Sequence, residues 1–203
     1  QGANRGDRND NQHVVARLSY PWKTESGQYF EAGIQGYTGE YAPTLGAYRN
    51  AANISRTPTI AANKEFGFDD ERVGVSFMLY PQPFGLQGEW NWGTGPEFVP
   101  ATGRIEERPL KGGYVQVMGK IDESPIGPFY PFARWQYYRG GFKAAVNAPR
   151  LETEELELGF EFQIDPSLEI TTTYGWASRK EADERRFGQA EGQILRVQAQ
   201  WNY

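Results

Sequence analysis

The sequence contains no cysteine and a single histidine, His13. Without cysteine there is neither a disulfide framework nor a thiolate metal site. One histidine cannot build the multi-histidine sites that hold zinc, so no metal and no cofactor is expected. Long apolar runs are also missing. No stretch approaches the roughly 18 residues of a membrane-spanning helix. A basic excess is missing too: 21 Lys and Arg stand against 26 Asp and Glu, a net charge of -5. That balance leaves no electrostatic footprint for nucleic acid, which is excluded as a partner. The chain starts at Gln1 with no signal-peptide pattern, as expected if the signal is removed or lies upstream.

Aromatic residues, by contrast, make up 15% of the 203 residues, and 24 Gly with 13 Pro punctuate them. The mean hydropathy of -0.69 reads as soluble. A membrane barrel gives the same average, because lipid-facing and lumen-facing residues alternate along each strand.

Nine segments alternate with period two, and no long helical pattern competes with them. Val14, Ala16, Leu18 and Tyr20 oppose Val15, Arg17 and Ser19. Phe30, Ala32, Ile34 and Gly36 oppose Glu31, Gly33 and Gln35. Val73, Val75, Phe77 and Leu79 oppose Arg72, Gly74, Ser76 and Met78. Leu86, Gly88, Trp90 and Trp92 oppose Gln87, Glu89 and Asn91. Val115, Val117, Gly119 and Ile121 oppose Gln116, Met118 and Lys120. Pro131, Ala133, Trp135 and Tyr137 oppose Phe132, Arg134, Gln136 and Tyr138. Leu156, Leu158, Phe160, Phe162 and Ile164 oppose Glu155, Glu157, Gly159, Glu161 and Gln163. Leu168, Ile170, Thr172, Tyr174 and Trp176 oppose Glu169, Thr171, Thr173 and Gly175. Leu195, Val197, Ala199, Trp201 and Tyr203 oppose Arg196, Gln198, Gln200 and Asn202.

No apolar-face position in these segments is charged. A soluble sandwich alternates as well, so the connections have to decide. Links near residues 21–28, 81–85, 122–128 and 165–167 are short. Links near 37–71, 93–112, 139–154 and 177–193 are long. Short and long in strict turn is the plan of an outer-membrane barrel, with periplasmic turns and extracellular loops. On that plan Tyr20, Phe30, Phe162, Trp201 and Tyr203 fall at the periplasmic edge, and Trp92, Tyr137 and Trp176 at the outer edge. Amphipathic rings prefer both interfaces. The reading is therefore all-β: a transmembrane antiparallel β-barrel in the bacterial outer membrane, with residues 1–203 as a single domain and outer-membrane lipid around it. Bacterial single-chain barrels have even strand numbers. Nine strands, with residues 1–12 in an outer loop, suggest that strands precede Gln1.

The stretch Phe84 to Pro96 (FGLQGEWNWGTGP), Gly112-Gly113-Tyr114-Val115-Gln116, and Pro131 to Tyr138 (PFARWQYY) resemble the phosphate-selective porin O and P family. Arg196 to Tyr203 (RVQAQWNY) resembles the terminal signal read by the barrel-assembly machinery. The resemblance covers roughly residues 72–203. It implies a sixteen-stranded, usually homotrimeric diffusion pore for small hydrophilic solutes or ions, phosphate-like anions among them. This chain would supply its last nine strands.

A pore selects by charge on its wall. The lumen face would carry Arg17, Arg72, Lys120, Arg134 and Arg196, with Glu31, Glu89, Glu155, Glu157, Glu161 and Glu169. The carboxylates on the seventh and eighth segments form either an acidic strip opposed by Arg134 and Arg196, or neutralising pairs across strands. With no basic excess, this wall does not by itself argue for anions. Arg5-Gly6-Asp7 reads as a chance tripeptide, Asn53-Ile54-Ser55 as an irrelevant sequon, and Asp69-Asp70-Glu71 as a solvated acidic turn rather than a Ca²⁺ site. No catalytic residue is expected: no serine adjoins His13, and the paired glutamates have no nucleophile. The main alternative is a structural barrel that holds a partner protein and transports nothing. A soluble lipocalin-like binder is a further one.

Overall fold

A computed structural model of the chain describes residues 12–50, 52–64, 67–122, 124, 127–182 and 187–201. Nine long strands form one sheet: β1 (Val14–Lys23), β2 (Tyr29–Tyr41), β5 (Phe68–Leu79), β6 (Phe84–Val99), β7 (Arg104–Gly119), β8 (Phe129–Gly141), β9 (Arg150–Asp165), β10 (Leu168–Ala182) and β11 (Phe187–Trp201). Each pairs antiparallel with its neighbours in chain order. The connection from β2 to β5 holds a two-stranded ribbon, β3 (Tyr48–Arg49) with β4 (Ser55–Arg56), and a short 3₁₀ turn, Ala62–Lys64. Among the described residues no pairing joins β1 to β11, so the sheet is open and the closed barrel is not seen. Arg5-Gly6-Asp7 and Tyr203 lie outside the described residues.

Tight turns set the register at one end. After β1, the Gly27 N–H donates to the Thr24 carbonyl at 2.9 Å, with Gly27 at φ 85°, where a side chain would be strained. Between β9 and β10, Asp165 Oδ1 accepts from the Ser167 N–H at 2.7 Å, the Ser167 hydroxyl at 2.6 Å and the Leu168 N–H at 3.1 Å. This is an Asx turn, and those donors hold the carboxyl below its ordinary range.

The far end corrects the sequence reading. Two of the four long links are strand for most of their length: β6 reaches Val99 and β7 begins at Arg104, while β10 reaches Ala182 and β11 begins at Phe187. The ladder continues through Pro96↔Glu107 and Glu97↔Glu106. Beyond Trp92 Gly, Pro and charged residues interrupt the alternation of these hairpins, so the apolar period is lost although backbone pairing persists. Only residues 42–67 and 142–149 remain as longer connections.

The first of these connections, the start of β5 and the β6–β7 tip hold a buried apolar cluster. Tyr48, Phe68, Phe98 and Ile105 are buried together, with Ile60 against them. The Tyr48 and Phe98 rings meet edge to face at 4.8 Å. Each such side chain contributes about 1.5–3 kcal/mol by leaving water. Thr59 bridges Arg104 in parallel, and the Ile105 N–H donates to the Thr59 carbonyl at 3.1 Å. Asn147 ties the second connection to the first: its Oδ1 accepts from the Gly46 N–H at 2.7 Å and its Nδ2 donates to the Gly46 carbonyl at 3.1 Å.

Two carboxyls give this loop cluster a pH response. The Lys64 ammonium, 2.8 Å from Asp69, holds that carboxyl below its ordinary 3.8. Its stabilisation is present above that value and is lost as pH falls through the depressed one. Burial pushes Glu97 above its ordinary 4.5, against the pull of Arg150, Arg108 and Arg139. Its contribution is full below 4.5 and is lost as pH rises through the raised value. Exchange protection of the Ile105 N–H is expected to be greatest between these two limits. Glu97→Gln should abolish the loss on the neutral side and leave the acid loss. A flat profile in the unaltered protein contradicts this.

Candidate functional site: the polar face of the sheet

Register places Arg17, Glu31, Arg72, Glu89, Arg134, Glu155, Glu157, Glu161, Glu169 and Arg196 on one face. Lys120 continues the same alternation just past β7, where it pairs with Asp122 at 2.8 Å. The burial of the two faces is inverted relative to a soluble sandwich. Glu157 is 1% exposed and Asp70 0%, whereas Leu158 is 48% and Val197 68% exposed. Charge lies in the sheltered face and hydrocarbon on the open one.

Glu157 is the hub of one network. Arg134, its cross-strand partner on β8, donates Nε to Oε2 at 2.6 Å, and its terminal nitrogen also bonds that oxygen. Arg196 of β11 donates to Oε1 at 2.5 Å. It reaches across β10 because the residue opposite Glu157 there is Gly175, which has no side chain to block it. Glu155 completes the cluster, accepting from Gln136 at 2.6 Å with Arg196 at 3.6 Å. Arg134 and Arg196 therefore converge on the acidic strand as neutralising pairs. They do not stand off from it as an opposed strip.

A second network lies toward the far end of the strands. Asp70 accepts from Lys143, from Arg72 at 3.3 Å and from the Tyr37 hydroxyl at 3.3 Å. Lys143 belongs to the 142–149 connection, which folds inward over the polar face. Its backbone carbonyl accepts from the Tyr41 hydroxyl at 2.8 Å. Its ammonium sits 5.0 Å from the Tyr41 ring and 5.5 Å from the Tyr37 ring. Beside it, Arg17, Arg72, Gln35 and Asn91 line a hollow of about 430 Å³. Arg17 pairs with Glu31 at 3.3 Å. Arg72 Nε is buried and has no partner. Three cations line this hollow, and the carboxylates beside it are Glu31, Asp70 and Glu89, the last accepting from Asn91 at 2.7 Å.

Sequence reasoning missed Lys143 and Glu97, and its solvated acidic turn at Asp69-Asp70-Glu71 is corrected: these residues belong to β5, and Asp70 is fully buried. Asp70 was legible, being in phase with Arg72, Gly74 and Ser76. Asp69 points to the other face, where it meets Lys64, so the acidic turn divides between faces. Nothing in the sequence could bring Lys143 to Asp70, because that contact depends on how a loop folds back. Among the described residues no group of three or more His, Asp or Glu converges as for a metal ion.

The opposite face is apolar over a limited height. At the tight-turn end Trp22 stacks on Phe30 at 5.2 Å and on Tyr20 at 6.2 Å. Phe129 meets Phe162 at 4.6 Å, and Trp201 pairs with Leu168. At the other end Trp90 stacks on Trp135 at 5.9 Å and on Tyr137 at 6.2 Å. Trp90 and Tyr137 flank Gly113 in register, and the absence of a side chain there lets their rings meet. Trp92 and Trp176 lie at this same end, Trp176 meeting Tyr174 at 4.9 Å. From Phe84 to Trp92 is eight residue steps, about 27 Å of strand at ~3.4 Å per step. At a tilt of ~40° that is a band about 20 Å tall, near the ~25 Å of membrane barrels. Level with Trp92 the same face carries Lys111, Arg139 and Glu152 in register.

No curated protein and no solved structure matches the chain. The family model for phosphate-selective porin O and P matches residues 1–203. With its nine-stranded antiparallel sheet and its charged sheltered face, the chain belongs to the phosphate-selective porin O and P family of bacterial outer-membrane porins.

Proposed function

We propose that the sheet is part of the wall of a closed, water-filled barrel through which small hydrophilic solutes and ions diffuse passively. The apolar face meets lipid, with Tyr20, Trp92, Tyr137, Trp176, Trp201 and Tyr203 at its two interfaces. The charged face, from Arg17 to Arg196, meets water. Further strands along the open edges of β1 and β11 close the barrel, since unpaired backbone groups do not face hydrocarbon. The observation that supports this reading is the inverted burial: carboxylates sheltered on one face, Leu and Val bare on the other. Homotrimeric assembly and recognition of the C-terminal strand by the barrel-assembly machinery belong to the same proposal and rest on family membership alone.

Within that channel, Arg17, Arg72 and Lys143 give the outer half a local positive potential. They favour anions there, phosphate-like ones included, through charge-assisted hydrogen bonds from the guanidiniums. The test is conductance of the native protein in a planar bilayer under a salt gradient. Discrete ohmic steps with an anion-selective reversal potential are expected. Lys143→Met should move that potential toward cations. A folded, membrane-inserted protein without steps would favour the scaffold reading.

A further inference from the structure

Toward the tight-turn end the polar face changes character. The row Gly85, Met118, Phe132, Gly159 runs across β6, β7, β8 and β9. Its two glycines leave room for its two large side chains to lie flat. A Cβ at residue 85 would stand 2.7 Å from Met118 Cγ, and one at residue 159 would stand 2.6 Å from Phe132 Cζ. Met78 adjoins them, so both methionines of the chain meet here. The result is an apolar floor at the tight-turn end of the polar face. It bounds a hollow of about 250 Å³ together with Tyr80, Tyr130, Gln116 and Glu161.

The floor differs from the other large apolar residues toward the far end of this face. Phe68, Leu110 and Leu151 are buried. Met78, Met118 and Phe132 stay partly exposed. The charge here is also of one sign. Glu161 is the only ionisable carboxylate lining the hollow, and Glu169 on β10 lies within hydrogen-bonding reach of it. The nearby cations are engaged elsewhere: Lys120 with Asp122, and Arg134 with Glu157. Thioether and aromatic surfaces accept a flat apolar body. Tyrosine faces and carboxylates accept an ammonium group. A phosphate finds no donor cation in this hollow.

From this juxtaposition we infer a second solute subsite, distinct from the cationic outer cluster, that takes small organic amines with an aromatic or apolar body. The hollow suits one solute at a time. The ring lies on Met118 and Phe132, and the ammonium points to Glu161. The inference rests on the polar face being water-filled, and two independent readouts separate it from that reading.

Binding is read first on the detergent-solubilised native protein by saturation-transfer NMR with phenethylamine, which needs no conductance. Saturation of its ring protons is expected. Ethylammonium, which lacks the ring, and phenylacetate, which reverses the charge, should show at least tenfold weaker binding. Glu161→Gln, an isosteric change, should weaken phenethylamine about tenfold, and Met118→Ser several-fold. The second readout is current block: phenethylamine should interrupt single-channel current at millimolar concentration, and phenylacetate should not. Equal binding of phenylacetate, or unchanged phenethylamine binding in both variants, overturns the subsite whatever the conductance. Phenethylamine binding without channel steps overturns the channel reading and keeps the subsite.

Discussion

Glu157→Gln is expected to move the reversal potential toward anions and to lower stability by about 2 kcal/mol. Glu157 is the most buried carboxylate of the strand network, and two guanidiniums share it. Removing its charge leaves Arg134 and Arg196 in excess by one. Breaking a fully buried pair costs ~3–5 kcal/mol. Here the arginine side chains remain 33% and 52% exposed, so water recovers part of that cost. One unit of charge about 7 Å from a passing ion changes its energy by ~0.6 kcal/mol in water-like surroundings. Screening at ~0.1 M salt roughly halves that. Anions gain and cations lose, so the permeability ratio should shift about threefold. Reversal potentials in a salt gradient measure the shift, and denaturant unfolding measures the stability. An unchanged reversal potential in a folded variant would mean that Glu157 does not face the ion path.

The second large effect belongs to the opposite face. Leu158 follows Glu157 on β9 and points the other way, in mid-band between the two aromatic rows. Leu158→Arg is expected to destabilise the protein in lipid vesicles by about 2–4 kcal/mol, the cost of a guanidinium near the bilayer midplane. On a face that meets water the same change stays within ~0.5 kcal/mol. The two adjacent variants therefore ask opposite questions of one strand. A neutral Leu158→Arg would mean that this face does not meet lipid.

The strands were legible because lipid and water impose opposite demands on alternate residues, and that pattern survives in any single sequence. Leu156 to Ile164 on β9 reads cleanly for this reason. Legibility stops where the alternation stops: the Pro96–Val99 and Ala177–Ala182 segments have no sustained apolar/polar period to announce them, though their backbones still pair. The wall charges were legible as a face but not as pairs. Arg196 meets Glu157 across an intervening strand, past Gly175, and the link from Lys143 to Asp70 is made by a loop. β1 and β11 each lack a partner on one side among the described residues, and neither strand's alternation names one.

The most direct test of the central claim asks which face of the sheet meets water. The chain has no cysteine, so single substitutions report alone. Ser76→Cys and Gln116→Cys place a thiol on the charged face, and Val75→Cys and Val117→Cys place one on the apolar face. Each is treated in lipid vesicles with a charged, membrane-impermeant thiol reagent. The account predicts rapid labelling at 76 and 116 and protection at 75 and 117, with all four labelled after unfolding in denaturant. Rapid labelling at 75 and 117 in the membrane-inserted protein would contradict it.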